Sequence, residues 1–162
     1  MKKLAITVIM MVIIAVSVFA ATTDSKTLQL YFDVAETLSV CWTENSYTGS
    51  DYSTTEISEI TNVNFGEVAS GSTVSELVYA TYKTNAEIAS VSVGIDTDFS
   101  DENLVLGISK DGLSYGSADL TFSDDAGATS RIVSNPVYIQ VEDNGAAKGE
   151  YTATLIFTVT GA

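Results

Sequence analysis

Apolar and polar residues alternate one by one along most of this chain, and this period of two constrains the fold more than any other feature. The clearest run lies at the C-terminus, where the odd positions from Tyr151 to Val159 are apolar or aromatic and the even positions are mostly hydroxyl-bearing. After residue 20 we find no convincing apolar period of 3.6 residues in any window of about 11 residues or more. Since successive side chains of a strand point to opposite faces, the alternation predicts β-strands, each with one core face.

Gly, Asn and Asp separate this alternation into short strand candidates. Besides 151–159, the candidates are 63–65, 77–82, 89–95, 104–108, 119–122 and 137–141. Strands 137–141 and 151–159 are predicted to form a hairpin through Asp143-Asn144-Gly145, with Pro136 ending the turn before it, and Lys110-Asp111-Gly112 predicts a tight turn. The polar stretch 44–59 is predicted to be a long surface loop. About seven to nine strands predict an all-β fold, a single antiparallel immunoglobulin-like β-sandwich over residues 21–162.

The first 20 residues have the three parts of a secretory signal peptide. Met1-Lys2-Lys3 is positively charged, residues 4–19 are uncharged and apolar, and Ala20 supplies a small residue for cleavage. We therefore expect residues 1–20 to be removed and the protein to be secreted to the exterior or the cell surface, with a periplasm as an alternative. The other alternative is a retained anchor, because the apolar stretch 4–21 is 18 residues long, at the short limit of a membrane span. Cleavage would leave no stable membrane span.

Composition excludes most familiar chemistry. The chain has 21 acidic and 7 basic residues, no histidine and one cysteine, which gives a formal net charge of −14. This charge disfavours nucleic acid as a partner, and the counts exclude His-based triads, Cys/His zinc sites and an internal disulfide. We therefore expect no catalytic residues, no cofactor and no enzyme activity. Cys41 lies in an apolar run and is predicted to be a buried thiol, with pairing between chains as the alternative.

The first alternating run after the signal peptide is too long for one small domain. From Leu28 to Trp42, seven of the eight even positions are apolar, and the odd positions are mostly polar or small. At about 3.3 Å per residue the run would extend roughly 46–50 Å, whereas a typical strand measures about 17–20 Å. Either the run bends at 35–37 and contributes two strands to its own domain, or its first part leaves the domain.

The second interpretation predicts that residues 24–34 are donated as a strand to a neighbouring copy. In strand addition, main-chain hydrogen bonds supply affinity and every second side chain fills a groove. The residues that would carry this assembly contact are Leu28, Leu30, Phe32 and Val34. Left free, they would form an aggregation-prone edge. A head-to-tail contact that does not close produces a filament.

Two stretches carry a family resemblance. One is GEYTATLIFTV at residues 149–159, and the other is NFGEVASG at residues 64–71, which follows the long opening run. Together they resemble bacterial fimbrial subunits and spore-coat-U-type secreted β-sandwich domains, although the chain lacks the cysteine pair of many such subunits. The resemblance implies an immunoglobulin-like sandwich, export as a subunit and, in several branches, donor-strand polymerisation. We therefore expect a secreted structural surface protein, a fimbria-like subunit that self-associates through its N-terminal strand.

A calcium site is the first alternative. Asp96, Asp98 and Asp101 begin an acidic stretch like an EF-hand loop, and hard cations prefer such oxygen ligands. The template then fails, because Asp101 stands where Gly is needed and Gly107 where a bidentate Glu belongs. The stretch is a weak calcium candidate, and a solvated acidic turn is the competing interpretation.

Polysaccharide binding is the second alternative. Tyr47, Tyr52 and Tyr115 fall in predicted loops of a secreted sandwich, where aromatic rings could stack against sugars. Tyrosines in half-buried strands are equally ordinary, so these residues also fit a structural role. A secreted carbohydrate- or calcium-binding module is therefore the alternative to a self-assembling subunit.

Overall fold

The computed structural model describes residues 36–50 and 55–162, and within these ranges the chain is all-β, without a helix. The strands are β1 (Leu38–Thr43), β2 (Thr73–Thr84), β3 (Ile88–Thr97), β4 (Leu104–Ser109), β5 (Leu120–Phe122), β6 (Arg131–Asp143) and β7 (Thr154–Gly161). They form a four-stranded sheet in the order β1-β2-β6-β4 and a three-stranded sheet in the order β5-β3-β7. Every pairing between these strands is antiparallel. The expected all-β class is confirmed, and the seven described strands fall within the predicted number.

The core lies between the two sheets and follows the alternation of the sequence. Val78 and Ala80 of β2 and Val137 and Ile139 of β6 are buried in one cluster with Val93 of β3. β2 pairs with β6 along its whole length, from Thr73 opposite Glu142 to Thr84 opposite Arg131. This central ladder is the scaffold on which the shorter edge strands are placed.

A buried ion pair lies at one end of the sheets. Arg131 lies 2.7 Å from Asp124, and their side chains are only 9% and 5% exposed. The same guanidinium donates hydrogen bonds to the carbonyls of Ala86, Gly127 and Thr129. Arg131 therefore ties the loop before β6 to the turn between β2 and β3.

The predicted C-terminal hairpin is wrong. β6 belongs to the four-stranded sheet, whereas β7 pairs with β3 in the other sheet. The turn itself forms as expected, since Gly145 adopts a φ of 104° and Asp143 accepts hydrogen bonds from the Gly145 and Ala146 amides. However, both edges of β6 are taken by β2 and β4. No edge remains for β7, and the chain crosses to the opposite sheet.

Pro136 lies inside β6 rather than ending a turn before it, which corrects the second part of that prediction. It is opposite Tyr79 of β2, while the β4 ladder stops at Tyr138. β6 is therefore paired on one side only at Pro136, and a strand tolerates a residue without an N–H at such a position. This explains how a thirteen-residue strand can contain a proline.

Within the described ranges there is no helix of the length and apolar character needed to cross a membrane. The predicted signal peptide, residues 1–20, lies outside the described residues.

Candidate functional site

The edge strands β1 and β7 border one side of the molecule. β1 pairs with β2 alone among the named strands, and β7 with β3 alone. The rings of Trp42 on β1 and Phe157 on β7 meet across the two sheets, with centroids 5.7 Å apart. We call this side, between β1 and β7, the open side.

Apolar side chains on the open side are incompletely covered. Leu38 and Val40 of β1 are 43% and 44% exposed, although by alternation they share the core-facing side of the strand with Trp42. In the other sheet, Phe157 of β7 is only half-buried, whereas its partner Val93 on the central strand is 0% exposed. Both edge strands therefore present apolar residues that no described strand covers.

A cavity of about 370 Å³ extends from the open side into the space between the sheets. Protein interiors contain few voids larger than a water molecule, whose share of liquid volume is about 30 Å³. Both sheets contribute apolar side chains to its wall, and none of its lining residues is charged. The apolar lining residues from the sheets and the β3–β4 loop are Trp42, Val78, Phe99, Leu106, Ile139 and Leu155.

Residues 61–68, which we call the strap, contribute Thr61, Asn62, Val63 and Phe65 to the lining of this cavity. The amide of Ile60 donates to the carbonyl of Trp42 at 2.8 Å, but no residue of the strap makes a backbone–backbone hydrogen bond to the described chain. Val63 and Phe65 are half-buried and pack against the core. The strand predicted at 63–65 is therefore wrong: the alternation is present, but no ladder forms.

The predicted assembly residues Leu28, Leu30, Phe32 and Val34, and the whole segment 24–34, lie outside the described residues. The structure does show where the chain enters β1. The Thr37 amide donates to Oδ1 of Asn85, at the β2–β3 turn, and the amide of Ala162 donates to the Glu87 carbonyl beside it. The start of β1 and the end of β7 therefore lie at the same end of the sheets.

The three acidic residues of the calcium candidate lie at or after the end of β3. Asp96 and Asp98 are exposed, and Asp98 accepts a hydrogen bond from the Phe99 amide at 2.7 Å. Asp101 accepts hydrogen bonds from the Asn103 amide and from Oη of Tyr151. The bonds from Asn103 are the main cause of the lowered pKa of Asp101. In the described part of the chain no three His, Cys, Asp or Glu side chains are grouped to hold a metal, and calcium binding stays a prediction.

The two described tyrosines of the sugar-stacking prediction, Tyr47 and Tyr115, lie against different strands. The backbone of Tyr47 is bonded to Oγ of Ser134 on β6, and its hydroxyl accepts from the Ser58 amide. Tyr115 lies against Gly107 of β4. A Cβ built on Gly107 would be 2.9 Å from the Cβ of Tyr115. Tyr52 lies outside the described residues.

A different set of tyrosines shares the outer face of the four-stranded sheet. Tyr138 of β6 is opposite Leu77 of β2, and Tyr79 of β2 is opposite Pro136. Odd-numbered residues of β2 face away from the buried Val78 and Ala80, so Tyr79 is on the outer face. The alternation alone does not identify this set, because the register of β2 with β6 determines which tyrosines share a face.

Cys41 is half-buried, on the face of β1 opposite Trp42. Burial and the nearby charge of Glu59 raise the pKa of its thiol, although Lys83 acts in the other direction. A thiol with a raised pKa is a poor nucleophile, which is consistent with the structural role predicted for this residue.

No protein-family model matches the chain, and no curated protein does. We therefore infer the function from the architecture, which consists of two antiparallel sheets with a shared core and one apolar side that the described strands leave uncovered.

Proposed function

We propose that this protein is a secreted structural subunit, with an immunoglobulin-like arrangement of its sheets, that assembles at the cell surface or outside the cell. In this proposal residues 1–20 are removed on export. Residues 24–34 of one copy then pack as a strand into the open side of the next copy. The single observation that carries the proposal is the open side itself, where no strand of the described chain covers Leu38, Val40 or the apolar cavity.

The two surfaces are complementary in chemistry. The donor segment presents Leu28, Leu30, Phe32 and Val34 on one face, and the cavity is lined without a charged side chain. Among the described strands, Thr73–Val78 of β2 pairs with β6 only, so its other edge offers main-chain donors and acceptors beside that cavity. Strand addition uses this combination of a backbone ladder and side-chain pockets.

The free energy of burial indicates that each of the four apolar side chains of the donor segment is needed for assembly. Burying one large aliphatic or aromatic side chain contributes about 1.5–3 kcal/mol, so four contribute about 6–12 kcal/mol. Association itself costs about 4–15 kcal/mol. The stabilisation from burial and the cost of association are similar in size. Loss of one of the four apolar side chains should therefore shift the equilibrium from polymer to free subunit.

The decisive experiment compares two single substitutions in the donor segment. Leu30→Asp places a charge on the apolar face, and Gln29→Asp places the same charge on the opposite face, one residue away. Purified exported protein is imaged by electron microscopy, and its assembly is followed by light scattering. We expect filaments from the unmodified protein and from Gln29→Asp, and none from Leu30→Asp. A wild-type protein that stays monomeric, or two variants that assemble equally, would refute the proposal.

A second candidate function is binding of an uncharged polysaccharide on the outer face of the four-stranded sheet. The observation that favours it is the shared face of Tyr79 and Tyr138, whose cross-strand partners Pro136 and Leu77 are uncharged in a strongly acidic chain. Tyrosine supplies an apolar ring with a polar end. Sedimentation with insoluble cellulose or chitin should then be lost in Tyr138→Ala and kept in Leu30→Asp. Equal sedimentation of Tyr138→Ala and the unmodified protein would exclude this face.

A further inference from the structure

We propose that the strap, residues 61–68, is a placeholder that occupies the groove of the free subunit, and that residues 28–34 of a second copy displace it. This inference rests on the proposed function and names the acceptor surface within the open side. The acceptor is the groove beneath the strap, between the first half of β2 and the beginning of β7.

Among the residues that the structure describes, the first half of β2 has no pairing partner on the side where β1 lies. β1 pairs with Tyr79–Thr84, which is half of the twelve residues of β2. The stretch Thr73–Val78 is paired with β6 on its other side only. The strap lines the same cavity as Val78 at the end of this stretch, and it makes no described backbone–backbone hydrogen bond to the stretch. A row of main-chain groups is therefore left for another strand to pair with.

The strap fills the groove incompletely. It contributes the side chains of Val63 and Phe65, and a cavity of about 370 Å³ remains beside them. Gly66 interrupts the strap with a φ of 70°, a conformation that favours glycine and prevents a continuous extended strand. A segment with few buried contacts and no ladder opens at low cost.

The segment 28–34 has what the strap lacks. It offers four apolar side chains in alternation where the strap offers Val63 and Phe65, and it contains no glycine or proline. Its one charged residue, Asp33, is at an odd position and would face away from the uncharged groove. The same segment can therefore form a ladder and fill the cavity at once.

A second copy is a better source of this strand than the same copy. The Thr37 amide is held by Asn85 at the β2–β3 turn, while the cavity is lined by Trp42 and Val78, further along the sheet. To lie in its own groove, the segment would have to reverse direction between Val34 and Leu38. That stretch contains no Gly, Pro, Asn or Asp, the residues that favour turns.

The test weakens the strap without touching the donor. Phe65→Ser removes the larger strap anchor, and Glu67→Ser, at an exposed strap position, is the matched control. We expect Phe65→Ser to shorten the lag before assembly at least three-fold, while Glu67→Ser assembles like the unmodified protein. Val63→Thr, a smaller change of the second anchor, should shorten the lag in the same direction and guards against misfolding of Phe65→Ser.

Displacement has a direct readout in the full exported chain. A synthetic peptide of residues 24–35 is added to Leu30→Asp, which provides a free groove but no competent donor. We expect the peptide to increase chymotrypsin cleavage after Phe65 and to shift the emission of Trp42, the one tryptophan of the chain, to shorter wavelength. If filaments form while Phe65 remains protected and the variants show no change in lag, the strap inference is wrong and the assembly proposal stands. If neither filaments nor peptide binding occur, both are wrong.

Discussion

Removing the carboxylate of Asp124, in the loop before β6, should destabilise the fold strongly. The side chains of Asp124 and Arg131 are 5% and 9% exposed, so Asp124→Ala leaves a nearly buried guanidinium without its counter-charge. Breaking such a pair from one side costs about 3–5 kcal/mol. Arg131 keeps its three carbonyl acceptors, and we therefore expect the lower end, about 3 kcal/mol. For a domain of this size that loss lowers Tm by roughly 6–12 °C.

The assay is urea and thermal unfolding followed by circular dichroism. Asp125→Ala is the matched control, because Asp125 is the exposed neighbour in the same loop and should change the free energy of unfolding by no more than about 0.5 kcal/mol. Combining Asp124→Ala with Arg131→Met removes the unpaired charge and should recover part of the loss, since the two sites are directly coupled. A free energy of unfolding for Asp124→Ala equal to that of Asp125→Ala would refute the reasoning.

Three further predictions concern the stability in acid, the stability in base and the open side. Burial acts to raise the pKa of Asp124, but hydrogen bonds from Arg131 and Tyr82 outweigh burial and lower the pKa. The ionised carboxylate therefore stabilises the fold above pH ~4, and this contribution is lost as the pH falls through the lowered pKa. Burial, followed by the bond to Asp124, raises the pKa of Tyr82, so unfolding measurements should show stability falling as the pH rises above ~10. On the open side, Val40→Glu should weaken assembly in light scattering with little change in Tm because Val40 is already 44% exposed. Ser39→Glu, on the opposite face, should assemble normally; equal assembly of both variants would show that the apolar face of β1 takes no part in the contact.

Alternation in the sequence was sufficient to predict most strands and their core faces. Val91 and Val93 of β3 and Ile108 of β4 are buried as the period of two requires, and Leu155 and Phe157 of β7 pack on the core cluster. The tight turn after β4 also has its expected glycine geometry, since Gly112 has a φ of 70°. These features depend on residues close together in the chain, which is why a single sequence is enough.

Sheet membership could not be predicted in the same way. Whether β7 pairs with β6 or crosses to β3 depends on which edges are already occupied, and the edges of β6 are taken by strands that begin far away in sequence, β2 and β4. The same limit applies to the strap, where Val63 and Phe65 alternate like a strand but find no backbone partner. Local pattern indicates that a segment can be extended, and only the assembled sheets determine whether it has a neighbour.

At the described end of the opening run, Trp42 is partly buried and the two apolar residues before it on the same face are more exposed, a pattern that fits the proposed strand donation. Trp42, at its end, packs against Phe157 in the core. Val40 and Leu38, two and four residues earlier on the same face, are 44% and 43% exposed. In a domain that covered its own first strand, these side chains would be buried as those of β3 are. The alternation continues back to Leu28, and only Glu36 interrupts its apolar positions. In the assembly we propose, the groove at the open side of another copy covers this apolar face.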